Sequence, residues 1–184
     1  MRHADLTSAV FICALILPAL APGRPADSAE RAHQVVVGKQ LTATLTAGNS
    51  TVAPGQRIRL TLDLDLLPDM HVYAPGVEGY IPIEWKMQDP EIFHVQAAVF
   101  PHPEKLYLRA IDETVPAYRG HFRLVRDITI PPESKVKSAL DRSGEFTVDG
   151  TLRYQACDDR VCYIPQTMRL QWTLRYQSPG KSRP

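Results

Sequence analysis

Long apolar runs are nearly absent from this chain. Among its 184 residues the one extended strongly apolar run is Ala9 to Leu17, which gives way to Pro18 and small residues. Nine residues are too few to cross a bilayer as a helix, which needs about 20. A charge imbalance is also missing: 21 Lys plus Arg face 20 Asp plus Glu, for a formal net charge of +1. With no basic cluster either, the chain has no electrostatic footprint for nucleic acid. It contains no glycine-rich phosphate loop, no dinucleotide fingerprint and no Ser-His-Asp spacing. Cysteine is scarce. There are three, and Cys13 lies inside the apolar run, which leaves Cys157 and Cys162.

Proline is abundant, at 16 residues, close to twice the usual share of about 5%. Long helices are therefore disfavoured, and such prolines belong in turns and on edge strands. Charged residues make up 22% and hydrophobic residues 44%, a composition that can build a packed core.

The N-terminus reads as a secretory signal peptide. Arg2 and His3 precede the apolar run, and Ala19-Leu20-Ala21 offers a small-x-small cleavage site, although Pro22 would follow that cut. Cleavage nearer Ala29 is the other choice, so residues 1–29 are assigned to the signal. Residues 30–37 are expected to be a flexible leader, 38–178 a single domain and 179–184 a flexible tail. Export places the domain in the periplasm or outside the cell. No membrane span is expected in the mature chain.

From residue 38 onward the hydrophobic period is two. Leu41, Ala43 and Leu45 alternate with threonines, and Ile58, Leu60, Leu62, Leu64 and Leu66 alternate with Arg, Thr and Asp. Further strands are predicted over 81–87, 92–99, 121–130, 146–156 and 168–176, with a helical turn near 133–140. Seven or so short strands separated by Pro and Gly turns predict an all-β fold, an immunoglobulin-like antiparallel β-sandwich. Residues 67–80 and 101–119 break the alternation and are expected to be loops, the second long enough to serve as a lid or binding loop.

The cysteines flank Asp158-Asp159-Arg160-Val161. A strand runs into Cys157 and another leaves after Pro165, so the pair should close a hairpin-like connection. Three readings stand. A disulfide across so small a loop contributes only about 2 kcal/mol in the chain-entropy model, which makes a staple of modest value. A pair at a chain reversal is well placed for thiol–disulfide exchange. A metal site would need more ligands than two sulfurs, and His71, His94, His102, His121 and Met70 are scattered without ligand spacing. Asp158 and Asp159 read as a solvated turn that raises the thiol pKa values, with Arg160 opposing.

The run Tyr154-Gln155-Ala156-Cys157-Asp158-Asp159-Arg160-Val161-Cys162-Tyr163-Ile164-Pro165 resembles the redox motif of the N-terminal periplasmic domain of the thiol:disulfide interchange protein DsbD. Met70-His71-Val72-Tyr73 and the stretch from Pro101 to Gly120 are similar to two further segments of that family, the second being its cap-loop region. The resemblance implies an immunoglobulin-like sandwich with a redox-active disulfide, Cys157–Cys162, near one end. It implies thioredoxin-like proteins as electron donor and acceptors, and no diffusible cofactor. Cys162 would form the mixed disulfide and Cys157 resolve it. Leu106 and Tyr107 would be the cap tip; Tyr73, Tyr154 and Tyr163 would be aromatic neighbours. The inter-cysteine loop holds four residues where well-known members have five, and Leu106-Tyr107 stands where a cap phenylalanine is usual. No membrane conduit or thioredoxin-like domain follows, so a free-standing module fed by another protein is expected. The other classes are an immunoglobulin-like binding module with an inert disulfide and a periplasmic copper-handling protein.

Overall fold

Alternation in the longest strands decides the architecture. In Arg57–Leu66 every second side chain is buried, and Gln166–Tyr176 buries Met168, Leu170, Trp172, Leu174 and Tyr176 in the same rhythm. Side chains in a strand point to opposite faces in turn, so each of these strands must lie over a core on one side and meet water on the other. The computed structural model describes residues 33–109 and 112–178. The signal peptide assigned to 1–29 and the tail 179–184 lie outside the described residues.

In chain order the elements are β1 His33–Val37, β2 Leu41–Ala47, β3 Thr51–Val52, β4 Arg57–Leu66, β5 His71–Tyr73, β6 Glu84–Met87, β7 Glu104–Leu108, β8 Glu113–Arg119, β9 His121–Thr129, α1 Glu133–Val136, β10 Glu145–Tyr154, β11 Ala156–Cys157 and β12 Gln166–Tyr176. One sheet runs β1-β2-β4-β9 and faces a second, β3-β12-β10-β6. Pairing is antiparallel throughout both, except where the two-residue β3 joins β12. The apolar faces of the two sheets form one continuous core, with Leu41, Leu45, Leu60, Leu62, Leu64 and Leu124 from the first and Leu152, Leu170, Trp172 and Leu174 from the second. This is an immunoglobulin-like β-sandwich. No helix among the described residues is long and apolar enough to cross a membrane.

A third sheet, β11-β5-β8-β7, is appended at one end. Its inner face contributes Ala156, Val72 and Tyr118 to the sandwich core. Its outer face carries Cys157, Tyr73 and Val115 in a separate small cluster. Val72 and Tyr73, or Ala156 and Cys157, are sequence neighbours that serve different cores because the pleat sends them to opposite faces.

Five expectations change, the first being the expected loop 67–80, which holds the strand β5 His71–Tyr73 between β11 and β8. Residues 33–37 are not leader but β1, in register with β2 from His33↔Thr46 to Val37↔Thr42. The strand predicted at 92–99 is instead a turn over 91–94 followed by an irregular stretch with a single bridge at Val99. Asp89 and His94 have φ of 47° and 40°, and turn bonds run from Ile92 N–H to Asp89 and from Val95 N–H to Pro90. Phe93 alone of the segment is fully buried, stacking on Phe146 at 6.1 Å between centroids, while Ile92, Val95 and Ala98 pack half-buried against the core. A short apolar alternation there imitates a strand, but Pro90 and the left-handed residues prevent extension. The predicted strand 81–87 shrinks to Glu84–Met87, because Pro82 has no N–H for a ladder. The expected loop 101–119 is largely the hairpin β7–β8, with Lys105 opposite Pro116.

Candidate functional site

The disulfide sits at a turn that the local sequence builds without help. Ala156 O accepts from Tyr163 N–H, and Val161 O accepts from Asp158 N–H. Between these bonds Cys157 and Cys162 form an antiparallel bridge pair that makes no backbone bond of its own. Such pairs are the closely spaced kind, about 4.5 Å between Cα atoms. The Cα atoms here are 4.0 Å apart, nearer than the roughly 4.4–6.8 Å common for disulfides, and the sulfurs are bonded at 2.03 Å. Asp158 holds the tip. Its Oδ1 accepts from the N–H groups of Arg160 and Val161, at 2.7 and 2.8 Å, and its Oδ2 accepts from the Tyr163 hydroxyl at 3.0 Å. This is the self-capping that makes Asp a turn residue. The Val161 and Arg160 N–H bonds hold the Asp158 carboxyl below the usual carboxylate range, and the same carboxylate pushes the Tyr163 hydroxyl up. Gln155 Nε2 donates to Tyr163 O at 2.9 Å and ties the outgoing strand back.

The two sulfurs differ in access. Cys157 is 1% exposed, at the edge of the outer cluster with Tyr73 and Val115, against which Leu106 and Leu108 of the β7–β8 hairpin pack. Cys162 is exposed. The Tyr73 hydroxyl lies 3.8 Å from Sγ of Cys162; a disulfide sulfur carries no proton, so the hydroxyl is the donor. Beside them is a groove of about 540 Å³, lined by Tyr73, Tyr80, Tyr107, Leu108 and Cys162 among others. Tyr73 and Tyr80 stack at 4.3 Å between centroids. The Tyr80 hydroxyl donates to Glu113 at 2.6 Å, which pushes its pKa up to about 12. Burial, then the Glu113 charge, raises Tyr73 as well. Val161 and Ile164, which flank Cys162, are 53% and 81% exposed.

The residues named from sequence do not all converge here. Tyr73 touches the exposed sulfur, and Tyr163 braces the loop through Asp158. Leu106 packs on the cluster that holds Cys157. Tyr107 is 54% exposed on the groove wall and donates to Asp112 at 2.7 Å. Tyr154 is elsewhere. It is fully buried in the sandwich core, where its hydroxyl stands 2.6 Å from where a Cβ on Gly38 would be. As the last residue of β10 it points to the opposite side from the disulfide loop, an orientation set by strand parity that a motif match does not contain.

Sequence reasoning missed Tyr80, Val115 and the position of His71. Register pairs His71 with Cys157 on one side and Arg119 on the other. Its ring packs edge-on to Tyr73 at 5.3 Å, and it is 1% exposed with no hydrogen-bond partner at Nε2. An orphaned buried group of this kind costs about 1–3 kcal/mol. Burial and then the Arg119 charge hold the imidazole below its usual pKa, against a smaller pull from Asp159 and Asp158. The signal available in sequence was the aromatic cluster Met70-His71-Val72-Tyr73, but its partner strand lies 86 positions away from His71 at Cys157, by subtraction of the two residue numbers. Among the described residues no group of three His, Cys, Asp or Glu side chains converges to hold a metal ion.

Comparison with solved structures finds a similar fold. The N-terminal periplasmic domain of ScsB from Proteus mirabilis is similar with a TM-score of 0.54 at 15% identity, over 78% of this chain and 51% of that one; the chain thus spans about half the length of that structure. The DsbD N-terminal domain of Neisseria meningitidis, in its reduced form, aligns at 12% identity and a TM-score of 0.47, over 74% of this chain and 86% of that one. No curated protein matches. The family described as thiol:disulfide interchange protein DsbD, N-terminal, matches residues 39–173. That span takes in β2 to β11, most of β12 and the cysteine turn, leaving out β1 and the last three residues of β12, and the chain belongs to the DsbD N-terminal domain family.

Proposed function

We propose that this domain works in the periplasm by dithiol–disulfide exchange at Cys157–Cys162, relaying reducing equivalents between thioredoxin-like proteins. The observation that carries the reading is the asymmetry of the pair: one sulfur is open to a partner while the other is buried beside it. Exchange needs that division, since an incoming thiolate must reach one sulfur and the second must stay close enough to resolve the mixed disulfide.

In the reducing direction, the Cys162 thiolate attacks a partner's disulfide. The partner's S–S bond breaks, one of its sulfurs leaves as thiolate, and a Cys162–partner bond forms. Cys157 then attacks Sγ of Cys162, closes the intramolecular disulfide and expels the second partner thiolate. Two electrons pass from the cysteine pair to the partner. Loading from a donor runs the same steps backwards. The exposed Val161 and Ile164 beside Cys162 supply an apolar rim for a protein partner. The β7–β8 hairpin, through Leu106 and Tyr107, acts as the cap that limits access between encounters.

Trapping tests this directly. Cys157→Ser, with Cys162 kept, should accumulate mixed disulfides with thioredoxin-like proteins, because the intermediate has lost its intramolecular exit. Cys162→Ser should trap far less. Equal trapping would overturn the roles of the two sulfurs. Absence of trapping by both, together with a reduction potential below about −300 mV, would mark an inert structural bond instead.

A further inference from the structure

Aside from Tyr, Trp and Cys, His71 is the only polar or charged residue type buried among the described residues. It stands directly across from Cys157 in the β11–β5 pair. Directly opposed residues share a face, with Cβ atoms about 4.5–5.5 Å apart. The imidazole and the buried sulfur therefore occupy one dry corner, closed on the next positions by Tyr73. We propose that His71 is the proton acceptor for the Cys157 thiol when that buried sulfur resolves the mixed disulfide. The proposal rests on the exchange reading above and adds the base that reading lacks.

The need for a base follows from burial. A thiol in apolar surroundings resists ionisation, and the thiolate alone is the nucleophile. In the mixed disulfide, Cys157 holds its proton as S–H. That proton passes to an imidazole nitrogen as the Cys157 sulfur bonds to Sγ of Cys162 and the Cys162–partner bond breaks. The departing partner sulfur leaves with the electron pair of that bond, and the imidazolium returns its proton to this thiolate or to water. In the loading direction the same nitrogen carries a proton to Cys157 as it leaves.

The state of Nε2 agrees with this role. With the disulfide closed it has no partner, since a bonded sulfur has no proton to offer; the dithiol state supplies an S–H donor on the facing strand. The charges around the ring set its resting form. Arg119 faces it from β8, Asp158 and Asp159 lie on the cysteine loop, and Tyr73 stands beside it on β5 with Glu113 beyond. Burial and Arg119 outweigh the two aspartates and favour the neutral ring, the form able to take a proton.

The test uses the reduced protein and a small aromatic disulfide whose released thiolate is coloured. Attack by Cys162 releases the first equivalent, and closure by Cys157 releases the second. In His71→Phe and His71→Gln the first release should match the unsubstituted protein, while the second should slow by about tenfold or more at neutral pH, at the lower edge of or below typical general-base contributions. The pH profile of the second release should also move. In the unsubstituted protein it should hold down to below the ordinary imidazole range; in the variants it should climb only toward the thiol range near about 8.5. Identical second phases and profiles would overturn the proposal. Should both variants fail to fold, ring nitrogen resonances of His71 in the unsubstituted protein decide: they should shift between dithiol and disulfide states, and invariance would overturn the assignment. Failure of the unsubstituted protein to release a second equivalent would instead bring down the exchange reading, and this inference with it.

Discussion

The sandwich core and the appended sheet use the same strand geometry to different ends. In β4 and β12 the buried positions recur without a break over a common interior; β4 lies between β2 and β9, and β12 pairs with β10 along nearly its whole length. In β7 and β8 the rhythm fails: β7 has no fully buried residue, and β8 buries Val115, Ala117 and Tyr118. The core is covered on its apolar side by a whole sheet. The outer face of the appended sheet is covered only in part, by side chains of its own hairpin, the cysteine turn and Val77 and Tyr80 from the loop after β5. A half-covered face contributes less to stability, yet it can hold one sulfur dry and leave its partner accessible.

The contrast predicts a division between stability and exchange. Leu62 is fully buried at the centre of β4. Leu62→Ala should cost about 2–5 kcal/mol in denaturant unfolding and leave the rate at which dithiothreitol reduces the folded protein unchanged. An altered reduction rate would show that the two regions are mechanically coupled.

A smaller loss is expected where β6 crosses β10. A Cβ on Gly150 would lie 2.8 Å from Lys86 O and 3.1 Å from Met87 Sδ, so Gly150→Ala should loosen β6 at a cost of about 1–3 kcal/mol. Amide exchange should accelerate over Glu84–Met87 and not over β5 or β8. Acceleration across the appended sheet would blur the boundary between the regions.

The double variant Leu106→Ala with Tyr107→Ala should do the reverse. It should speed reduction by dithiothreitol while unfolding shifts by less than about 1–2 kcal/mol. An unchanged rate would show that the hairpin is no cap, and a large stability loss would place these side chains in the structural core.

The mildest effect is a slope with pH. The folded pKa of His71 lies below its unfolded value, so the unfolded chain takes up the proton first and stability falls as pH drops below about 6.5. The fall ends once pH is under the folded pKa. Unfolding midpoints from pH 7 to 5 should decline less steeply in His71→Phe; parallel slopes would mean that the ring is solvated in the folded state.

Alternation at 58–66 and 168–176, and the turn chemistry of Asp158 between two cysteines, are local properties, so the sandwich class, its central strands and the disulfide turn were legible in the residues alone. The single alternation at 92–99 misled because nothing within eight residues says whether a partner strand exists; Val99 meets β9 in one bridge, to Val125, and the segment otherwise touches β9 only through single bonds, Gln96 N–H to Asp127 O and Thr129 N–H to Phe93 O. Which side chains share the sulfur's corner, by contrast, depended on how distant strands pair. Register over long sequence separations placed His71 opposite Cys157, laid Leu106 against their cluster and sent Tyr154 to the other core. Strand pairing is a choice among distant backbone partners, and a one-residue slip would exchange the two faces entirely. That choice is settled by burying the whole sandwich at once, so no short motif carries it.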